Sequence, residues 1–292
     1  MRKNIITAIL LILTATEITQ AKILLVKWKD ADFYNEAVKG LENAGIKDYE
    51  LVDCKGDKEC ASEALKKSES YDAVCVLGES PLKTAVSENL KKPVFYGMVY
   101  NPSLIAGDKK NITGVSLNIA FSKQLETIKS IIPGATSVGV LYSRESLLKG
   151  LEKEAQERGM TIKKTKAENE KDVNERILSI KDVSVVLMLS DPIISSSGVI
   201  SALMLQAQKI KSPLFVSSDK LVKSGALFGL APDYFENGRN LGIMIKHYLE
   251  SKNIDEPADM ESGDLYINTK TAKDLKIDIE ESVLQKAKET FK

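Results

Sequence analysis

Two polar residue pairs in this sequence follow apolar, strand-like runs and could contact a small charged ligand. Ser80-Pro81 follows the run VCVLGE, and Asp191-Pro192 follows the run VVLMLS. A serine hydroxyl can hydrogen-bond a carboxylate, whereas an aspartate can pair with an ammonium group. Ser and Asp are also favoured helix N-caps, and Pro is favoured at the first helical position, so helix capping is the alternative role.

The three cysteines and the single histidine do not form a pattern that is typical of catalysis or metal binding. Cys54 and Cys60 lie in the polar segment DCKGDKEC, where an oxidising compartment would permit a disulfide. Their spacing is not CxxC and His247 is distant in sequence, so we predict no metal site. Cys75 lies in an apolar run and is typical of a buried core position. The stretch GESPLKTA lacks the Gly-Lys-Ser/Thr order of a phosphate loop, and GxSxG and HExxH do not occur, so we predict a protein that is not an enzyme and holds no cofactor.

The elements that would position these residues occur twice in the same order. The first half contains a strand KILLVKW, a helix FYNEAVKGLENAG and a strand YELVDC, and the second half contains TSVGVLY, LLKGLEKEAQERGM and TIKKTKA. Each half continues with an apolar strand, the Ser-Pro or Asp-Pro pair, a helix and another apolar strand. Apolar strands that alternate with helices indicate parallel sheets covered on both faces. The predicted fold class is α/β, with two similar Rossmann-like lobes.

Ligands of open α/β sheets bind beyond the carboxyl ends of the strands. If the two lobes face each other, Ser80 and Asp191 lie on opposite sides of a cleft. Trp28 ends the first strand and could stack on a planar ligand, or it could pack against its own lobe. Ser143 and Arg144 occupy the equivalent position in the second lobe, where Arg144 could bind a carboxylate through two hydrogen bonds or remain exposed.

The N-terminal segment is typical of a secretory signal. Arg2 and Lys3 precede an apolar run at residues 5–13, and the polar region after it ends at Ala21, so we predict cleavage of residues 1–21. An uncleaved anchor is the alternative, but the run is shorter than the ~20 residues that span a bilayer. Lys plus Arg and Asp plus Glu both number 41, which gives no support for nucleic-acid binding. No Cys lies near the predicted cleavage point, so we predict a periplasmic protein that is not a lipoprotein.

Six segments, in order along the chain, together resemble a known family. They are KKPVFYGMVYNPSLIAG, NITGVSLN, LETIKSIIPGATSVGVLYS, VVLMLSDPIISS, VKSGALFGLAPDYFENGRNLG and LYINTKTAKDLKIDIEESVLQKA. The sequence is similar to ABC-transporter substrate-binding proteins of the tryptophan/tyrosine-binding-like group. The resemblance implies the type I periplasmic binding fold, with lobes joined by a three-segment hinge. It implies an N-terminal lobe at 22–117 plus 229–255 and a C-terminal lobe at 118–228 plus 256–292.

The resemblance also implies a function and adds residues to the site. A monomeric receptor would hold a small ligand, an amino acid or a related metabolite, between its lobes and pass it to an ABC permease in the inner membrane. The family's GTPA stretch corresponds to the segment at Ser80, where Glu79 is an extra residue that could affect ligand choice. Asn101 stands where the family's TDP stretch has a carboxylate. Asp219 and Asp233 match acidic positions near the cleft and the hinge, and either could serve the hinge instead of the ligand.

Two other functions are compatible with the same sequence features. A sensory module would present its ligand state to a membrane receptor instead of feeding transport. An exported enzyme would use cleft carboxylates for catalysis. Neighbouring permease genes, or turnover of a bound ligand, would distinguish these alternatives.

Overall fold

The computed structural model describes residues 22–292, and the predicted signal peptide at 1–21 lies outside the described residues. Within 22–292, the first sheet has six strands: β1 (Ile23–Lys27), β2 (Tyr49–Asp53), β3 (Ala73–Leu77), β4 (Val94–Gly97), β5 (Ile112–Ile119) and β11 (Ala258–Met260). Their order is β11-β5-β4-β3-β1-β2, and every neighbouring pair is parallel. This sheet forms the first lobe.

The second lobe is built on another sheet. Its seven strands in the described part of the chain are β6 (Ser137–Tyr142), β7 (Thr161–Lys166), β8 (Val185–Leu187), β9 (Leu214–Val216), β10 (Phe228–Ala231), β12 (Asp264–Asn268) and β13 (Glu289–Phe291). Their order is β13-β12-β10-β9-β8-β6-β7. The pairing of β10 with β12 is antiparallel, whereas the other pairs are parallel. The prediction of two α/β lobes on parallel sheets is confirmed, with one antiparallel pair added.

Helices connect most of the strands. They are α1 (Asp32–Asn43), α2 (Lys58–Leu65), α3 (Glu79–Ser87), α4 (Ser103–Ala106), α5 (Phe121–Ile131), α6 (Leu151–Glu157), α7 (Glu170–Arg176), α8 (Ser197–Lys209), α9 (Asp219–Lys223), α10 (Tyr234–Ser251), α11 (Thr269–Leu275) and α12 (Glu281–Leu284). Within residues 22–292, no helix is long and apolar enough to cross a bilayer.

The central strands are buried on both faces, which explains their uninterrupted apolar sequences. In β3, Ala73 and Cys75 pack into one hydrophobic cluster, while Val74 and Val76 pack into another on the opposite face. Successive side chains of a strand point to opposite faces, so a strand covered on both sides has no polar positions. Cys75 is therefore a buried core residue, as the sequence indicates.

The chain passes between the two sheets three times: after β5, after β10 and after β11. These crossings differ from the predicted lobe ranges in two places. Strand β10 belongs to the second sheet although 229–255 was assigned to the first lobe, and β11 belongs to the first sheet although 256–292 was assigned to the second. Each of these strands completes its hydrogen bonds in one sheet before the chain crosses, and the pattern of apolar residues does not reveal that partner.

Helix α10 returns to the first lobe and packs closely on α1. The two backbones approach through glycines: a Cβ added at Gly238 would lie 1.9 Å from the Ala37 carbonyl oxygen, and one at Gly40 would lie 2.0 Å from that of Phe235. Only a residue without a side chain fits at such a distance. This packing fixes the first turn of α10, which begins at the crossing from the second lobe.

Candidate functional site

Aromatic side chains gather where strands of the first lobe end and where α10 begins. Phe33, Tyr100 and Tyr234 are each 37% exposed, which is unusual for large apolar rings in this molecule. The Phe33 ring lies 5.7 Å from the Tyr234 ring and 4.6 Å from the Tyr34 ring, measured between centroids. Trp28 and Tyr34 lie against the same side of Gly78, where an added Cβ would be 3.1 Å from the Trp28 Cβ and 2.6 Å from the Tyr34 hydroxyl. We call Trp28, Phe33, Tyr34, Tyr100 and Tyr234 the aromatic cluster.

Charged residues stand next to this cluster. Burial raises the pKa of Tyr34, and the nearby Glu79 carboxylate adds a smaller effect in the same direction. Burial likewise raises the pKa of Tyr234, with a smaller contribution from Asp219. Glu79 directly follows Gly78, which lies against Tyr34 and Trp28, and Asp219 of the second lobe is near enough to Tyr234 to affect its pKa. Asp219 is half-exposed at the start of α9, and Glu79 is exposed and pairs with Lys83.

The glycine before Glu79 explains why the helix begins where it does. Gly78 has φ +113°, a conformation that side-chain-bearing residues rarely adopt, and a Cβ there would lie 2.6 Å from the Tyr34 hydroxyl. Helix α3 therefore starts at Glu79, so the predicted capping role of Ser80 is wrong. Ser80 is instead the second helical residue and is half-buried, while Pro81 occupies the third position, where its missing N–H leaves no bond unmade.

The loop after β4 carries Tyr100 and is held in an uncommon backbone conformation. Met98 has φ +60° and Asn101 has φ +48°. Such conformations cost about 1–3 kcal/mol each and persist when surrounding contacts enforce them. Here the contact is Asn237, fully buried in α10, whose Oδ1 accepts a hydrogen bond of 3.0 Å from the Met98 N–H. The Asn237 amide also donates to the carbonyls of Val115 and Ser116 in β5, at 3.2 and 2.9 Å.

Asn101 forms a direct bridge between the lobes. Its Nδ2 donates to the carbonyl oxygen of Ser190, which follows β8 in the second lobe. Its Oδ1 accepts a hydrogen bond of 3.1 Å from Nδ2 of Asn118, near the end of β5. Both polar atoms of the Asn101 side chain thus bond to protein groups, and its contact with a ligand stays a prediction. Its amide supplies both a donor and an acceptor, which a carboxylate could not do at this carbonyl.

Asp191 does not face the cleft as a ligand partner in this structure. It is fully buried, and its Oδ2 accepts a hydrogen bond of 2.6 Å from the Ser143 N–H. Its Oδ1 accepts from the N–H groups of Ile193 and Ile194, at 2.8 and 3.3 Å. Both oxygens thus accept from backbone donors, and full burial of the side chain keeps a ligand ammonium from reaching it in this structure. The residue caps a turn, because the next helix, α8, begins only at Ser197.

The remaining predicted residues of the second lobe and hinge have different roles. Ser143 is half-buried and its backbone is held by Asp191, whereas Arg144 is exposed and forms no ion pair within residues 22–292. Asp233 caps α10, where its Oδ1 accepts a hydrogen bond of 3.0 Å from the Glu236 N–H. Asp233 therefore caps the helix that follows β10, and its role in the hinge or in ligand binding stays a prediction.

The two cysteines of the DCKGDKEC segment lie next to each other. They are unbonded, and their Sγ atoms are 2.7 Å apart. Cys54 is buried and Cys60 is half-buried. The described residues 22–292 contain no cluster of three or more His, Cys, Asp or Glu side chains that could hold a metal ion.

A cavity of about 750 Å³ lies along the hinge side of the Asn101 bridge. Both lobes contribute to its lining, which includes Asn118, Lys149, Ser190 and Asp259. The aromatic cluster is not part of this lining. The cavity is thus a polar crevice beside the hinge, separate from the aromatic cluster at the strand ends.

Most of the aromatic cluster was missed in the sequence, although a signal was present. Helices α1 and α10 both begin with an acid followed by two aromatic residues, in the segments DFYNE and DYFEN. A helix that follows a parallel strand begins near the edge where that strand ends, so aromatic residues at its start lie near that edge. Only the closing of α10 back onto the first lobe brings the two pairs together.

The family model for ABC transporter substrate binding proteins matches residues 31–291 of this chain. The chain belongs to this family. The resemblance found in the sequence is confirmed, and the type I periplasmic binding fold agrees with the two lobes described above. The match spans both lobes of this substrate-binding protein and all three crossings.

Similar proteins include a tyrosine-binding protein of Clostridioides difficile, 24% identical over 259 residues, covering 82% of this substrate-binding protein and 74% of the relative. Among solved structures, an ABC domain in complex with L-Trp from Streptococcus pneumonia has a TM-score of 0.62 at 22% identity, covering 94% and 100% of the two chains. The ligand-free, open structure of a substrate binding protein with adhesive properties from Clostridium difficile has a TM-score of 0.67 at 19% identity, covering 90% and 97%. These structures have the same fold.

Proposed function

We propose that this substrate-binding protein captures an amino acid with an aromatic side chain between its two lobes and delivers it to the permease of an ABC importer. The observation that carries the proposal is the partly exposed aromatic cluster with a carboxylate from each lobe beside it. The tyrosine-binding relative and the L-Trp complex of similar fold add support.

The chemistry of the cluster suits such a ligand. Rings of Phe33, Tyr100 and Tyr234 offer apolar faces and edges on which a planar side chain can stack, each such pair contributing about 0.5–1.5 kcal/mol beyond burial. In this proposal the Asp219 carboxylate pairs with the ammonium group, and Glu79, which is paired with Lys83, adds negative charge beside the cluster. The exposed guanidinium of Arg144 lies on the second-lobe loop after β6, where it can bind the carboxylate through two hydrogen bonds.

Closure of the lobes would couple binding to transport. The first lobe supplies most of the aromatic cluster, the second supplies Asp219 and Arg144, and the Tyr234 ring lies at a crossing between them. A ligand that contacts both lobes binds the closed state better than the open one and shifts the population accordingly. The permease would then recognise the closed form. We further propose that the protein works outside the cytoplasm as a monomer and releases its ligand chemically unchanged.

Mass spectrometry of ligand retained by the natively purified protein tests this proposal, together with thermal unfolding in the presence of each standard amino acid. A ligand at ~100 times its Kd adds ~2.7 kcal/mol to the free energy of unfolding, which raises Tm by about 5–10 °C in a chain of this size. We expect such a shift for tyrosine, tryptophan or phenylalanine. An absence of retained ligand and of any shift across the set would refute the proposal.

The variant Asp219→Asn examines the charged part of the site. It removes the carboxylate that would pair with the ammonium, so affinity should fall about tenfold or more, the loss expected when a charge-assisted hydrogen bond is replaced by a neutral one. Asp274→Asn is the matched control, because Asp274 is exposed on α11 in the same lobe. Equal affinities of the two variants would argue against a role of Asp219 in binding.

A further inference from the structure

The short segment between β2 and α2 supports the backbone of Trp28. The Cys54 N–H donates to the Lys27 carbonyl at 2.9 Å, and the Gly56 N–H donates to the Trp28 carbonyl at 2.7 Å. Asp53, which precedes the first cysteine, forms an ion pair of 3.1 Å with the buried Lys27 ammonium. The end of β1 and the start of the aromatic cluster are therefore held by the segment that the two cysteines delimit.

This segment is folded tightly enough to bring its two ends together. Lys55 and Gly56 adopt left-handed conformations, with φ +50° and +82°. The Asp57 side chain accepts a hydrogen bond of 3.0 Å from the Glu59 N–H and so begins α2. As a result Cys60, in the first turn of α2, meets Cys54, and their sulfur atoms approach more closely than non-bonded sulfurs do.

We propose that Cys54 and Cys60 form a disulfide in the exported protein, and that this disulfide braces Trp28 in the ligand site. The oxidant would be a disulfide, such as oxidised glutathione or an oxidised dithiol protein. The thiolate of Cys60, the more accessible of the two, attacks one oxidant sulfur and releases the other as a thiolate. The Cys54 thiolate then attacks the mixed disulfide at the Cys60 sulfur and releases the second thiolate. In total, the protein loses two protons and two electrons, and the oxidant is reduced to two thiols.

The proposed disulfide would act on Trp28, whose fluorescence emission reports the surroundings of its own ring. Trp28 is the single tryptophan of the chain. Because the Gly56 N–H holds the Trp28 carbonyl, a change in the freedom of the segment changes the position of the indole ring. The emission of this tryptophan therefore reads the redox state of the segment without any ligand. The effect on affinity rests on the proposed function, whereas the disulfide and the brace do not.

The experiment compares mature protein treated with oxidised glutathione and protein treated with a phosphine reductant. Alkylation with iodoacetamide and peptide mass spectrometry identify the disulfide, which makes the peptides that contain Cys54 and Cys60 lighter by two hydrogens. Tm and Trp28 emission are measured for both forms. The variant Cys60→Ser removes one half-buried partner, and Cys75→Ala is the matched control, because Cys75 lies in the core of the same lobe away from the segment.

We expect oxidised wild-type protein to resist alkylation at Cys54 and Cys60 while Cys75 reacts after denaturation. Reduction should lower Tm by about 5–8 °C, as expected for a loop of this length, and shift the Trp28 emission. Cys60→Ser should behave as the reduced form under both conditions, and Cys75→Ala should keep the full redox response.

Two results would overturn the inference. Free alkylation of both cysteines after treatment with oxidised glutathione would show that no disulfide forms. A disulfide that leaves Tm and Trp28 emission unchanged would show that it braces nothing. Affinity for L-tyrosine, measured by calorimetry, should fall severalfold on reduction. If neither form binds any amino acid, the proposed function fails, while alkylation, Tm and emission still decide the brace.

Discussion

Replacing Asn237 by Leu should damage the fold and the ligand site together. The fully buried Asn237 side chain forms three hydrogen bonds, one from the Met98 N–H and two to β5 carbonyls. A leucine of similar size makes none of them, so three buried backbone groups lose a partner. Each unsatisfied buried group costs about 1–3 kcal/mol, and partial relaxation lowers the total, so we expect a loss of about 3–5 kcal/mol.

The same change should weaken ligand binding beyond the effect of reduced stability. Without Asn237, nothing compensates the left-handed conformation of Met98, and the loop that carries Tyr100 and Asn101 can relax. Urea unfolding followed by far-UV circular dichroism gives the free energy of unfolding. Calorimetry well below the transition gives the affinity of the folded fraction, which we expect to fall about tenfold, the equivalent of ~1.4 kcal/mol.

Asn240→Leu is the matched control, because Asn240 is half-exposed on the same helix. It should change the free energy of unfolding by about 0.5 kcal/mol or less. If Asn237→Leu were as stable as this control, the buried hydrogen bonds would not stabilise the loop. If its stability fell but its affinity did not, Asn237 would hold the core without positioning the site.

Three further changes test other parts of the structure. Tyr234→Ala removes a ring of the aromatic cluster and should weaken binding of an aromatic ligand by about 1–3 kcal/mol, measured by calorimetry. Ile243→Ala, on the exposed side of the same helix, should leave binding unchanged. Equal effects of the two changes would contradict the assignment of the cluster. Gly238→Ala should lower the free energy of unfolding in urea by several kcal/mol, since its Cβ would overlap the Ala37 carbonyl. Gly198 is a helical residue with open space around its Cβ position, so Gly198→Ala should be neutral or stabilising by up to about 1 kcal/mol. The hydrogen bond to Glu50 and, to a smaller extent, burial raise the pKa of Tyr71 to about 12. The stability that this tyrosine contributes is therefore present below about pH 10 and is lost as pH rises from 10 to 12. A spectrophotometric titration in which Tyr71→Phe leaves the number of late-titrating tyrosines unchanged would refute this.

Several roles in the site could not be derived from the sequence because they depend on contacts between distant segments. Asp191 was expected to bind a ligand ammonium, since an acid at a strand end commonly points into the cleft. Its carboxylate instead accepts the Ser143 N–H from the neighbouring strand end. This bond requires β6 and β8 to be adjacent in the sheet and their loops to have compatible lengths. Neither condition is visible in the residue types.

The start of α3 was predicted correctly in its position but not in its capping residue. The sequence correctly indicates a helix after β3, but Ser80 is not its cap. Gly78 has a positive φ, and the Tyr34 hydroxyl and Trp28 lie close to where a Cβ would be, so a side chain is excluded at the turn before the helix. A helix can begin earlier than its best capping residue when tertiary packing fixes the preceding turn.

The architecture of this protein follows from its pattern of apolar and polar residues. Continuous apolar strands that alternate with amphipathic helices can be buried only as parallel sheets covered on both faces, and the repetition of that order specified two lobes. Which side chains meet in the cleft depends on tertiary packing. The aromatic cluster draws on α1, the loop after β4 and α10, and these come together because glycines let α10 pack directly on α1 and because Asn237 ties the loop to that helix. Periodicity records which face of an element is buried, whereas the meeting of residues far apart in sequence depends on packing that no local pattern encodes.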